Sequence, residues 1–232
     1  FDSIFLGNGA GIGNLLKTEG EDLTHVYQAT DFLVRGNLDD FELPEDQRGL
    51  PFVGDDVVVV GGGDTSMDCV RTADRRAENE MLGRTEERVH AREEGVIFSY
   101  LTTPTRFISD EEGKVVSVEL VQMELSEPDD SGRRRPVQIE DSEYTISASA
   151  VVIAIGYNAD SDLGESSEVE TDNWGLIQVD SRTGQTNIPY IFAGGDVVNG
   201  ADLVVTAIAD GKRAATWVHQ YLLSLGVKDS VD

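Results

Sequence analysis

Sulfur chemistry has almost nothing to work with in this sequence. Cys69 is the single cysteine among 232 residues. One cysteine excludes an internal disulfide, a thiol–disulfide redox pair and a cysteine-ligated metal cluster within the chain. Basic residues are also scarce: Lys and Arg total 18 against 44 Asp and Glu, a net charge of −26. The lysines are Lys17, Lys114, Lys212 and Lys228. Phosphate contacts need a basic face, so nucleic acid and anionic membrane surfaces are disfavoured as partners. No apolar run reaches the roughly 18–20 residues of a membrane span. Residues 1–20 lack the basic start and cleavage site of a signal peptide. His25, His90 and His219 are scattered, and no spacing of ligating residues suggests a metal.

The acid excess fits a protein adapted to concentrated salt, where screening makes self-repulsion tolerable. The low cysteine usage fits a cytoplasmic one. With 39% apolar residues and 24 glycines, the chain reads as globular and rich in glycine turns. It opens with FDSIFLGNGA, a strand already under way, so the domain is expected to begin upstream.

Periodicity divides the rest. Short apolar strands are expected at 2–7, 57–61, 150–156 and 188–196, and a helix at 27–34. Residues 36–54 are polar, contain Pro44 and Pro51, and read as a connector. Helices are expected at 64–73 and at 85–94. Between 96 and 147, alternating runs such as VVSVELVQMEL are separated by EEGK and EPDDSGRRRP, the pattern of a β-meander. Arg133-Arg134-Arg135 reads either as a hairpin turn balancing nearby acids or as a docking contact for a partner. The last element, from about Val204 to Leu223, is a helix with apolar positions at 204, 208, 215, 218 and 222. Trp174 and Trp217 read as packing residues, and Cys69 as a small buried one.

The most informative stretch is VVVVGGGDTSMDCVRTADRR, residues 57–76. A β-branched run leads into Gly61-Gly62-Gly63-Asp64-Thr65-Ser66, a G-x-G-x-x-S turn, and then a helix. The first glycine permits a tight turn and the second lets backbone approach a pyrophosphate. The third position, here Ser66, sets helix–strand packing. Free N–H groups at the helix start suit phosphate. A tightly packed turn with no ligand would read the same way. The acidic residue that usually selects NAD, about 20 positions on, is replaced by Arg75-Arg76. That pair suits a 2′-phosphate and hence NADPH over NADH; a solvated helix end explains it equally.

Together with RTEERVHAREEGV, SEPDDSGRRRP and IFAGGDVVNGADLVVTAIADGKRAA, this stretch resembles the small-subunit (beta-chain) type of glutamate synthase and its FAD- and NADPH-dependent relatives. The resemblance implies an α/β flavoprotein with two Rossmann-like, three-layer dinucleotide-binding domains. An FAD domain, here 1–53 and 150–232, would be incomplete at its N-terminus. An NAD(P)H domain, 54–149, would be inserted into it. FLGNGA would be the first crossing between them and VVIAIGY the return. The resemblance further implies that Gly7, Gly9 and Ala10 lie beside the flavin pyrophosphate, with Gly156 at the return crossing. Gly195 and Asp196 would serve the ribityl chain, and Leu203 and Val204 would begin the helix facing the flavin. Gly61, Gly63, Asp64 and Thr65 would hold the NADPH pyrophosphate, and Arg75 and Arg76 its 2′-phosphate. Gly211, inside the last helix, would mark close packing on a neighbour or on cofactor.

The expected activity is hydride transfer from NADPH to FAD. Electrons would then pass to a large FMN/iron–sulfur subunit, in glutamate biosynthesis, or to another acceptor protein such as ferredoxin. No acid–base side chain is required, because the cofactors carry the chemistry. Two departures complicate this. The second Rossmann strand should precede the arginine pair, yet Ala73 runs straight into Asp74-Arg75-Arg76; a βαβ unit needs about 30 residues. The cysteine-rich cluster domain and the first FAD glycine motif are also missing. A degenerate, non-catalytic structural or subunit-binding module is therefore the competing expectation.

Overall fold

Two parallel strand systems, each ending in a glycine turn, organise the protein. The computed structural model describes residues 1–63, 65–69, 96–127, 134, 136–160 and 167–226. The expected helix at 85–94, Asp64 and the Arg75-Arg76 pair lie outside these residues. The chain divides into two units, Phe1–Ile12 with Tyr157–Asp232, and Gly13–Gly156. The short strands β2 (Ile12–Gly13) and β10 (Tyr157–Asn158) fall where the chain passes from one unit to the other.

These boundaries differ from the cuts expected at 53/54 and 149/150, and strand pairing is the reason. In the Gly13–Gly156 unit, β3 (Val26–Gln28) and β4 (Val57–Val60) pair in parallel with opposite edges of β9 (Ala150–Ile153). The registers are Val26↔Val151 and Val58↔Val151, so residues on either side of the connector share one sheet. All four β9 residues are buried, as a central parallel strand requires. The start of the segment expected to be the return crossing is thus the middle of this sheet, and the passage to the other unit falls at that segment's end, between Gly156 and Tyr157.

Helix α1 spans Ala29–Asn37, a few residues later than expected, because Val26–Gln28 is spent on the sheet. Two 3-10 turns, Asp40–Glu42 and Glu45–Gln47, occupy the polar connector. Residues 65–69 form helix α2. The expected meander is an antiparallel sheet built on one long strand. β5 (Thr102–Ser109) covers one edge of β6 (Val115–Leu125). β7 (Pro136–Gln138) and β8 (Tyr144–Ser147) follow one another along the other. Phe107, Val115, Val118 and Leu120 from these strands join Val151 and Ile153 in one core. Arg134, between β6 and β7, donates to the carbonyls of Leu125 and Ser126; Arg133 and Arg135 lie outside the described residues.

The other unit pairs β1 (Ile4–Leu6) in parallel with β11 (Ile191–Ala193), Phe5 opposite Phe192. After β11 come a single-turn helix, α3 (Asp196–Asn199), and the 21-residue helix α4 (Val204–Ser224). Phe192 is fully buried and meets Tyr221 of α4 edge-on at 6.1 Å. Burial of such a ring stabilises by about 2–3 kcal/mol.

The apolar positions expected to face the core from α4 do not all do so. Val204 and Ile208 are exposed by 75% and 51%, and Ala215 is also exposed. The buried stripe is Asp210 and Ala214, flanked by the half-buried Ala207, Trp217 and Tyr221, at spacings of three and four residues. Trp217 lies under the Arg182 guanidinium at 5.6 Å, whereas Trp174 is 76% exposed and is not a packing residue.

Candidate cofactor site

Five of the expected flavin positions fall in the first unit around one cleft. Its volume is about 270 Å³, and Gly7, Gly9, Gly195, Asp196 and Val204 line it together with Phe5, Gly194, Asp202 and Ala207. The strands β1 and β11 end side by side, so both glycine turns leave the same end of the pair. The glycines do different work. Gly9 has φ +76° and open space where a Cβ would stand, so backbone is bare toward the solvent side. A Cβ on Gly194 would come 2.9 Å from the Asp210 Cβ, so that glycine exists to let the turn approach α4. Gly195 has φ 78° and ψ −154°, a region open only to glycine.

The start of α4 completes the cleft. Leu203, its N-cap, provides no side-chain cap. The Thr206 N–H bonds back to the Leu203 carbonyl at 2.9 Å, and no N-cap side chain takes those of Val204 and Val205, which suit solvent or a ligand. The surface beside them is apolar, with Leu203, Val204 and Val205 more than half exposed. Bare N–H groups, a carboxylate at Asp196 and an uncovered apolar rim suit a flat, partly apolar cofactor with hydroxyl and phosphate groups. Ala10 packs on the core beside the cleft rather than lining it. Gly211 has nothing within 4 Å of an added Cβ among the described residues, so the expected close packing there is not observed.

A buried charge fixes this geometry. Asp210 Oδ2 accepts from the Gly195 N–H at 3.0 Å and from Asn199 Nδ2 at 2.6 Å. Its Oδ1 accepts from Arg213 Nη2 at 2.6 Å. Burial alone would raise this carboxyl; the hydrogen bonds from Gly195 and Asn199 and the Arg213 charge outweigh it and hold Asp210 below the ordinary carboxylate range.

The second glycine turn belongs to the other unit. Gly61 follows β4 with φ +147°, and a Cβ there would meet the Ala154 carbonyl oxygen at 2.2 Å. Ser66, buried in α2, donates from Oγ to that same carbonyl at 3.3 Å. Glycine and small serine together let the helix sit against β9. Gly63 has open space at its Cβ position, and Thr65 opens α2 half-buried. Gly156, φ +97°, closes the unit and accepts from the Asn14 N–H at 3.0 Å. Cys69 is buried, which pushes its thiol up to about 12, with the Asp68 charge adding to the effect.

Residues 1–211 match the pyridine nucleotide-disulphide oxidoreductase family model. The chain belongs to that family. This sequence holds one cysteine, the buried Cys69, and so no thiol pair of its own. The chain is 39% identical over 239 residues to the glutamate synthase [NADPH] small chain of Escherichia coli, covering 96% of this chain and 51% of that one. It is 38% identical over 249 residues to the NADP(+)-dependent formate dehydrogenase subunit beta of Moorella thermoacetica, covering 100% and 34%. The chain thus spans about half or less of these curated relatives. Among solved structures, Mycobacterium tuberculosis FprA in complex with NADPH aligns at TM-score 0.68 and 18% identity, over 97% of this chain and 64% of that one. That likeness concerns the fold, and it agrees with the α/β flavoprotein class expected from the sequence.

Sequence reasoning missed Asp210, Asn199 and Phe5. For Asp210 a signal was present: an acid at the centre of an otherwise apolar helical face, seven positions after Leu203. Phe5 carries no such signal; its place in the cleft follows from pairing with Phe192.

Proposed function

We propose that this chain carries the C-terminal part of an FAD site and an NADPH site, and that the enzyme it belongs to transfers hydride from NADPH to FAD and hands the electrons to an acceptor protein. The observation that carries the reading is the glycine-lined cleft at the bare N-terminus of α4. The family membership and the match to NADPH-named relatives support FAD and NADPH as its cofactors. Bound FAD would supply the hydride-accepting chemistry. The chain's own residues bind and orient. Gly7 and Gly9, with Ala10 behind them, leave room for a pyrophosphate. Asp196 accepts a hydrogen bond from a ribityl hydroxyl. The N–H groups at Leu203 and Val204, and the positive end of the α4 dipole, favour negative charge on the reduced ring. Gly61, Gly63, Asp64 and Thr65 hold the nicotinamide cofactor's pyrophosphate, Arg75 and Arg76 its 2′-phosphate, and Gly156 turns the chain back after β9.

The acceptor is a large FMN/iron–sulfur subunit of glutamate synthase type or another electron-acceptor protein. The charge excess supports a salt-adapted setting, and the single cysteine a cytoplasmic one. No helix of the described residues is long and apolar enough to cross a membrane.

An anaerobic titration tests the reading. The chain is saturated with FAD in molar potassium chloride, freed of excess, and given NADPH while flavin absorbance is recorded. Retained yellow colour that bleaches is the expected result. A folded chain that retains no flavin supports the scaffold reading instead.

A further inference from the structure

Asp210 does not line the cleft, yet its carboxylate bonds both ends of the turn that carries Asp196. Helix α3 is a single turn with glycine at both ends, Gly195 as N-cap at φ 78° and Gly200 as C-cap at φ 77°. A turn so short, flanked by glycine on both sides, does little to fix its own ends. Its middle is seated by Val197, fully buried, whose carbonyl accepts from the Ile177 N–H at 2.9 Å. Its ends share one oxygen: Asp210 Oδ2 takes the Gly195 N–H at the start and the Asn199 amide at the end. Asp196, the residue facing the cleft, lies between those two anchors. Asp210 also belongs to α4, six residues beyond Val204. The carboxylate therefore ties the turn bearing Asp196 to the helix whose first residue, Val204, lines the same cleft.

We propose that Asp210 is the positioning residue of the flavin cleft: its buried carboxylate pins both ends of the Gly195–Asn199 turn to α4 and so fixes the Asp196 carboxylate relative to the helix N-terminus. The inference rests on the flavin reading of the cleft. Packing seats the turn, through the close approach at Gly194 and the buried Val197. Neither contact bonds α4 to the two ends of the turn, and the directional hydrogen bonds of Asp210 do. The carboxylate is also chemically required. All three donors point at its two oxygens, and an amide has one accepting oxygen and one donating nitrogen. Asp210→Asn, flipped either way, sets a donor against a donor. Arg213 keeps the carboxylate charged by pairing with Oδ1.

The test is FAD affinity, by fluorescence titration, in wild-type chain and in Asp210→Asn, Asn199→Ala and Val169→Ala. Asn199→Ala removes one anchor without touching the buried helix face, and serves if Asp210→Asn fails to fold. Val169 is buried in the cluster that holds Val197 of the turn but makes none of the clamp's hydrogen bonds, and calibrates loss of packing and stability. The expected result is a Kd raised by about tenfold or more for both clamp variants, the size of losing a hydrogen bond to a charged group. A change in the bound flavin's visible band shape is expected with it. Val169→Ala, compared at a temperature where all variants are folded, keeps the wild-type Kd and spectrum. Unchanged Kd in the clamp variants, or an equal rise in Val169→Ala, overturns the positioning role. A folded wild-type chain that binds no FAD overturns the flavin reading and the positioning role with it. Faster amide exchange at Gly195 in the cofactor-free Asn199→Ala chain then shows that the clamp itself is real.

Discussion

At Gly61 an added Cβ would stand 2.2 Å from a backbone carbonyl, while at Gly195 it would stand 3.4 Å from the Ala207 methyl group. The first turn is held by contact: Gly61 and Ser66 both press on the Ala154 carbonyl at the end of β9. The second adds charge to contact: Gly194 lies close against Asp210 and Val197 is buried, and the Gly195 N–H hangs from the Asp210 carboxylate. A turn held by backbone contact is rigid at any pH and intolerant of any added atom. One held by a buried carboxylate has its geometry fixed by a group that acid or a single substitution can remove. The two turns read alike in sequence, a strand, two or three glycines and a helix, yet they fail in different ways.

The largest contrast is kinetic and concerns Cys69, beside the contact-held turn. With its thiol near 12, Cys69 alkylates at pH 8 about a thousandfold more slowly than an exposed thiol. Iodoacetamide labelling followed by mass spectrometry checks this; rapid labelling would show that the first turn opens readily. Next is Gly61→Ala. It faces both a disfavoured φ and an immovable carbonyl, and costs about 3 kcal/mol or more in urea unfolding. A loss under about 1 kcal/mol would mean that β9 yields, and the contrast with the second turn would vanish.

Asp210→Asn is expected to cost about 2 kcal/mol at neutral pH. Its pH dependence sharpens the comparison. The native carboxyl lies below its ordinary value of 3.8, so its contribution is complete above that value and is lost as pH falls through the lower native one. Wild type should lose stability in that window, and Asp210→Asn should lose correspondingly less, as read by denaturant titrations across it. The smallest effect is Gly211→Ala. With open space around it, the substitution is expected to stabilise α4 by about 1 kcal/mol. A fall in FAD affinity in that stabilised variant would mean that the helix needs its bare backbone there after all.

Much of this was legible from residue type and spacing. Four valines before three glycines announce a parallel strand and its turn. The run from Ile191 to Ala215 announces the second strand, its turn and the long helix. The reading failed where apolarity was taken as the guide to burial. Val204 and Ile208 look like core residues and are exposed, while Asp210 looks like a surface residue and is buried. Periodicity locates a helical face but cannot say which face finds hydrogen-bond donors. The domain cuts missed for a related reason: residues 13–53 read as part of the first unit along the chain, but β3 pairs with β9, more than a hundred residues away.

Local chemistry, then, was settled by the sequence alone. It dictated where strands end, because glycine is needed at positive φ. It left one cysteine, and so no thiol pair, and it set 18 basic residues against 44 acidic ones. Only the tertiary structure decided which residues share a site. Pairing of β1 with β11 brought Gly7 and Gly9 to Gly195 and Asp196, and the packing of α4 against the turn after β11 gave Asp210 two of its three donors, Arg213 being its neighbour within the helix. Those contacts span from 3 residues, between Arg213 and Asp210, to 187, between Ile4 and Ile191. No window along the chain contains both ends of the longer ones, and a buried charge is stable only once its partners have arrived.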